Sequence, residues 1–217
     1  MLQFLPQLLQ GAVVTVQITV LASLLAVAMA FAAGLARLSH LWPVRAVSAV
    51  YVEIFRGSSA LVQLFWLFFV LPFFGITLSA FQVAVLGLGL NVGAYGSEVV
   101  RGAIVAVPKG QYESCTALNM TRWQMMRHII VPQAVITMLP PWGNLFIELL
   151  KSTALVSLIT LGDLTFKAYQ LNQATFRTAE IFSLVLLIYF AIALVITGGM
   201  RLAERRLGRG LARGGLG

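Results

Sequence analysis

"PKGQYESCTALNMTRWQMMRHIIVP", residues 108–132, is a polar stretch with helix signals at both ends, set into a chain whose other segments are long and uncharged. Pro108 and Gly110 stop the apolar run before them, and Gln111–Leu118 then carries Tyr112, Cys115 and Leu118 on one helical face. Glu113 falls in the first turn, where the helix dipole favours an anion. On its side Ser114 and Ala117 are small, so another surface can approach to backbone distance. Asn119 suits the left-handed position that ends a helix. Thr121-Arg122-Trp123-Gln124 is a capping box that opens a second helix, along which Trp123, Met126 and Ile130 are expected to lie against the neighbouring spans. The stretch predicts a rigid two-helix elbow, held by its caps instead of a core of its own.

Outward from this elbow the composition points to a bilayer. Of 217 residues, 59% are hydrophobic and 10% charged, against roughly 25% charged in an average soluble domain. No charged side chain occurs in Met1–Ala36, Gly57–Ser97, Ile129–Ile147 or Ile181–Met200. About 20 apolar residues cross a membrane as a helix. The 41 residues of Gly57–Ser97 are twice that, so this window predicts two antiparallel helices reversing at Pro72–Gly75. Five spans result, at about 11–36, 57–74, 80–100, 130–150 and 181–201. An odd count puts the termini on opposite sides. With the C-terminus cytoplasmic and the N-terminus outside, twelve of the fifteen Lys and Arg residues fall inside, leaving Lys151, Lys167 and Arg177 outside, as the positive-inside bias requires. The elbow is then cytoplasmic.

Several features refine the picture. The first span is rich in Ala, Gly and Ser, which permit close helix approach in lipid, and Gly89–Gly93 in the third is a small-xxx-small pair. Thr15, Gln17 and Thr19 lie near the outer end of the first span, with interhelical hydrogen bonding the expected role of Gln17. Glu53, Glu98 and Glu148 each precede a basic residue by three positions, so pairs with Arg56, Arg101 and Lys151 are expected at span ends. Pro140 and Pro141 predict a kink or local unwinding of the fourth span. Residues 152–180 are too weakly apolar to cross and are expected on, or partly re-entering, the outer face. Residues 208–217, Gly- and Arg-rich, read as a disordered tail.

Function classes narrow accordingly. The net charge of +8 sits where translocation and anionic lipid account for it, not nucleic acid. A DNA-reading helix-turn-helix would need exposed base-reading side chains where "WQMMRHII" is apolar. No phosphate loop of the GxxxxGK type is present. His40 and His128 fall in loops without nucleophile or metal-ligand companions, which disfavours an intramembrane enzyme. Internal repeats and mid-membrane ionisable groups, expected of a transporter acting alone, are not visible. Cys115, the single cysteine, reads as a small packing residue. The N-terminus lacks a basic region and a cleavage site, so the first stretch reads as a retained span.

At this point the residues resemble a known family, the permease subunits of bacterial ATP-binding-cassette importers of the polar amino-acid type. "GQYESCTALNMTRWQMMRHIIVPQAV" is similar to their cytoplasmic EAA loop, and "YVEIFRGSSALVQLFW", "GAYGSEVVRGAIVAVPKGQ" and "PPWGNLFIELLKSTALVSLITLGDLT" extend the resemblance over most of the chain. It departs at Ser114 and Cys115, where the family usually has two alanines, and at Asn119, where it has glycine; each change keeps a small residue or one that tolerates positive φ. The resemblance implies an all-α integral membrane protein of the type I importer kind, multi-pass in the bacterial inner membrane and not itself an enzyme. Its elbow would be a coupling helix seated on a separate ATPase dimer that binds ATP and Mg. Further implied partners are a second permease subunit, identical or homologous, and an extracytoplasmic solute-binding protein, with lipid around them. Glu113 is then the main coupling candidate, with Gly110, Tyr112, Ser114, Ala117, Leu118, Asn119 and Arg122 around it. Asn91, Tyr95, Asn144 and Glu148, polar groups at mid-span or kinked positions, are the pathway candidates. Glu148 would suit a zwitterion with a cationic or amidinium group. "FRGSSALVQLFWLFFVLPFFG" and "NLFIELLKSTALVSLITLGDLTFKAYQLN" look most like permeases for the compatible solutes ectoine and hydroxyectoine.

Overall fold

Small residues on two apolar helices decide the centre of the molecule. In a computed structural model, which describes the backbone of residues 2–212 and the side-chain surroundings of residues 3–207, α1 (Leu5–Ala36) pairs most extensively with α4 (Ala80–Val105). Along α1, Ile18, Ala22, Ala26 and Ala30 are fully buried. They meet α4 where Gly89 and Gly93 keep it narrow: a Cβ on Gly93 would lie 2.9 Å from Met29 Cβ and 3.2 Å from the Ala26 carbonyl. Close backbone approach of this kind supplies packing where lipid offers no hydrophobic drive. Gly96 forms a notch for α7 (Val131–Ser152), because its Cβ position lies 2.6 Å from the Trp142 ring. The expected small-xxx-small packing is present.

Four units are long and apolar enough to cross a membrane: α1, α4, Arg122–Ile159 and Thr178–Leu207. The last belongs to α9 (Thr178–Ala212). A bent helix pair is the candidate for a fifth. α2 (Trp42–Gly57) meets α3 (Ala60–Phe65) at 105°, and α3 continues as a π-turn, Trp66–Val70, and a 3-10 turn, Leu71–Phe74. The second arm of this pair, Ala60–Phe74, corresponds to the span expected at 57–74 and is preceded by a helix in a stretch where no span was expected, since Arg45, Glu53 and Arg56 interrupt its apolar pattern. The reversal after it occurs as expected, at Gly75 with φ 81°. Ser79 and Gln82 then form a capping box that starts α4.

Pro140 and Pro141 do not break the fourth span; α7 runs through both. Each proline deletes one intrahelical bond, and the turns on either side hold the axis. The irregularity lies elsewhere. α6 (Arg122–Met125) runs into α7 through a π-turn at Met126–Ile130, where the Val131 N–H reaches the Met126 carbonyl.

After α7 the chain makes a 3-10 segment, Thr153–Ile159, and a turn at Thr160. α8 (Leu164–Thr175) then packs with α1 and α9, so residues 153–175 cap one end of the bundle without crossing it. A small second core holds this cap, with Phe4, Leu8, Leu164, Ala168, Ile181 and Val185 buried together. Gly11 lets α1 pass within contact of the Asp163 carbonyl, 2.7 Å from where a Cβ would sit. Thr15 Oγ1 accepts from the Leu164 N–H at 3.1 Å, and Thr19 donates to the Thr15 carbonyl at 2.8 Å. Gln17 is exposed and makes no hydrogen bond among the described residues, so its expected interhelical bond is not formed. Of the tail expected to be disordered, the backbone is helical to Ala212 and residues 213–217 lie outside the described residues.

Candidate functional site

The elbow forms because the turn at its middle is closed locally on both sides. α5 (Lys109–Ala117) ends with Asn119 at φ 52°; the Asn119 N–H donates to the Thr116 carbonyl and the Met120 N–H to the Cys115 carbonyl, each at 3.0 Å. These two bonds are a Schellman closure. One residue later Thr121 and Gln124 complete the capping box, with the Thr121 N–H donating to Gln124 Oε1 at 2.9 Å and the Gln124 N–H to Thr121 Oγ1 at 3.3 Å. Tyr112 ties α5 to the end of α4 by donating to the Ile104 carbonyl at 2.9 Å, and Cys115 is buried beside it. The elbow is thus fixed to the spans from within.

Its other side is bare. Gly110, Glu113, Ser114, Ala117, Leu118, Asn119 and Arg122 are all exposed, and Leu118 is 75% exposed. The structure therefore gathers seven of the eight coupling candidates on the open surface, with Tyr112 as the anchor beneath. Two expectations need correcting. Leu118 does not share the packed face of Tyr112 and Cys115, because the helix closes at that residue. Trp123 does not lie against the spans: it is 69% exposed while Ile130 is buried. The π-turn between them inserts an extra residue and rotates the earlier turn outward.

The pathway candidates divide into two separate pairs. Asn91 and Tyr95, one turn apart on α4, face the α2–α3 bend. Asn91 Nδ2 donates to the Phe55 carbonyl at 2.9 Å and to Gln63 Oε1 at 3.2 Å. Gln63 Nε2 donates to that same carbonyl at 2.9 Å and to Ser58 Oγ at 2.8 Å. A helix broken inside a membrane leaves carbonyls without partners, and these two amides satisfy them. Tyr95 Oη lies 3.5 Å from the Arg56 carbonyl, and the Arg56 guanidinium sits 5.3 Å from the centre of its ring. Asn144 and Glu148, also one turn apart, are exposed on α7. Trp142 faces α4, and Asn144 is two residues further on, roughly 200° around the helix. The two pairs thus do not converge within one chain.

Of the expected ion pairs only Glu98–Arg101 forms, Arg101 Nε and Nη2 donating to Oε2 at 3.0 and 2.9 Å. Arg37, at the end of α1, pairs with the other oxygen of the same carboxylate. Among the described residues Glu53 and Glu148 make no ion pair: each is exposed and can keep its solvent shell, which an exposed pair hardly improves upon. Gln63 and Arg37 were missed in the sequence because their partners lie 28 and 61 residues away. Among the described residues no group of His, Cys, Asp or Glu side chains is arranged to hold a metal.

Comparison with known proteins gives this geometry its relatives. Residues 23–209 match the family model described as the binding-protein-dependent transport system inner membrane component. A probable amino-acid ABC transporter permease protein of Sinorhizobium fredii is 47% identical over 95% of this chain and 89% of its own length. The L-cystine transport system permease protein of Bacillus subtilis is 37% identical over 97% of this chain and 90% of its own. A crystal structure of an amino acid ABC transporter with histidines superposes with a TM-score of 0.88 at 36% identity, covering 95% of this chain and 96% of that one.

Proposed function

Since this chain belongs to the family of binding-protein-dependent transport system inner membrane components, we propose that it is the permease subunit of an ATP-driven importer for a polar amino acid. It is a multi-pass inner-membrane protein, and its relatives are named as permease proteins of ABC transporters. The observation that carries the proposal is the elbow: a double-capped lever anchored by Tyr112 to the end of α4, continuous with α7, and open on the face of Glu113, Ser114, Ala117 and Leu118. A separate ATPase dimer that binds ATP and Mg grips that face. Its closure swings α4 and α7 together, because one is tied to the elbow by a hydrogen bond and the other by an unbroken chain of helical turns. The elbow is cytoplasmic in this reading, and a solute-binding protein delivers substrate on the opposite side.

The amino-acid class follows the names of the relatives. Asn144 and Glu148 stand exposed on α7 with no partner among the described residues, which suits a pathway completed by a second permease subunit. There the carboxylate would receive the cationic part of a zwitterion. The narrower ectoine or hydroxyectoine reading rests on the two stretches quoted above and on this same carboxylate.

The decisive experiment reconstitutes the chain in proteoliposomes with the ATPase and binding protein encoded beside it. Uptake of a polar amino acid should require ATP and stop with vanadate; uptake by this chain alone, indifferent to vanadate, overturns the proposal. Glu113→Lys should weaken ATPase association roughly 30-fold, as loss of a central contact of about 2 kcal/mol does, with membrane insertion intact. Competition uptake with ectoine then decides between the two substrate readings.

A further inference from the structure

Where the elbow meets the spans, a groove of about 1150 Å³ opens between the ends of α1 and α4, the inner side of α5 and the α6–α7 junction. Its floor is apolar, with Leu38 in the turn after α1, Val105 at the end of α4 and Met126 in the π-turn before α7, and Val105 is 60% exposed although it closes an apolar span. His40, Arg122 and Arg127 stand on its rim, and no acidic side chain lines it. At its edge the exposed Trp123 ring lies 6.0 Å from the Arg127 guanidinium, and Leu41 and Trp42, which follow His40 in the chain, are exposed as well. Exposed tryptophans among arginines mark the depth at which a membrane passes from hydrocarbon to headgroups.

We propose that this groove binds an anionic phospholipid, acyl chain against Leu38, Val105 and Met126 and phosphate among His40, Arg122 and Arg127. Both halves of the cavity are then matched. Water alone leaves the apolar floor unfilled, and a zwitterionic lipid brings its phosphate together with a cation that the arginines of the rim repel. Apart from Arg122, which borders both surfaces, the ATPase face points away from the groove: Tyr112 and Thr116, one turn apart on α5, line the groove, while Glu113, Ser114 and Ala117 lie on its other sides. The lipid becomes a wedge between lever and spans. The inference requires membrane residence only and stands whichever solute is carried.

The test is native mass spectrometry of the intact permease–ATPase assembly, released from nanodiscs of mixed phosphatidylglycerol and phosphatidylcholine. Phosphatidylglycerol should be retained in preference. Arg127→Gln should weaken its retention about fivefold, the effect of one basic side chain near an anionic headgroup, and Arg127→Lys should preserve it. Val105→Trp fills the floor without altering a charge and should expel lipid of both kinds. Persistence of the ATPase in the same spectrum certifies the fold, and Leu38→Trp replaces Val105→Trp if that assembly is lost. Equal retention of the two lipids, or retention indifferent to both Arg127→Gln and the groove-filling variant, overturns the proposal. So does a preference shown by the permease alone that vanishes once the ATPase is bound, which makes the groove a protein contact.

Discussion

Asp163 caps α8 from a position fully removed from solvent, its two carboxylate oxygens accepting from the Thr165 and Phe166 N–H groups at 3.1 and 3.0 Å. Burial pushes its carboxyl from the ordinary 3.8 up to about 6, even though those hydrogen bonds pull it down. The folded chain therefore takes up a proton more readily than the unfolded one. The stability gained from that proton is full below pH 3.8 and is lost as pH rises through 6. The swing is at most about 3 kcal/mol. Asp163→Asn keeps one acceptor for the cap and removes the titration. Its thermal midpoint should stay flat between pH 4 and 6 relative to the parent, and a midpoint that tracks the parent there sinks this account. Asn91 offers a second test. Asn91→Leu deprives the Phe55 carbonyl of one donor inside the bend and should cost about 1–3 kcal/mol; chemical denaturation in detergent measures it. If the cost falls below that range, Gln63 satisfies the bend alone.

At the scale of elements, the elbow was the most legible part of the chain, because every interaction that closes it is local. Asn119, Thr121 and Gln124 each act within five residues, and all three do what their side-chain chemistry predicts. Asn119→Gly should leave transport unchanged. Asn119→Val forces a β-branched residue to φ 52°, at a cost of about 1–2 kcal/mol, and should lower the uptake rate and the yield of ATPase recovered with the permease. Equal uptake by the two variants separates the lever from its cap. The α2–α3 bend was not legible for the opposite reason. Its partners, Asn91 and Gln63, come from distant positions, and its three charged residues mask an amphipathic helix as a loop. Trp123 was misplaced by the π-turn, since a single added residue shifts a helical face and leaves no mark in a period of 3.6.

The whole molecule is a set of long helices with one polar lever and one polar cap at opposite ends of α7. Four of the expected spans and the site of reversal were readable from uncharged lengths alone, whereas which faces meet depended on small residues whose contacts are all long-range. The side on which each end lies is an expectation drawn from charge, and a labelling experiment tests it: cysteines introduced at Lys109 and at Thr175, in turn, should react with an impermeant maleimide from opposite sides of the membrane. Lys109 should be reached only from the cytoplasmic side. Labelling of both from one side removes the five-crossing arrangement and the lever with it.

The bond between Thr15 and the Leu164 N–H joins residues 149 positions apart, while the elbow's closures reach across five or fewer. During synthesis the elbow can therefore set as soon as it leaves the ribosome, with α8 and α9 still unmade. The first helix, by contrast, waits with Thr15 short of its partner until more than three-quarters of the chain has been translated. Over that interval its amino-terminal half lacks the cap that α8 will supply, although α4, its main partner, has already been made. Nascent chains arrested before residue 164 should be the ones most open to quality-control proteases at their amino-terminal end.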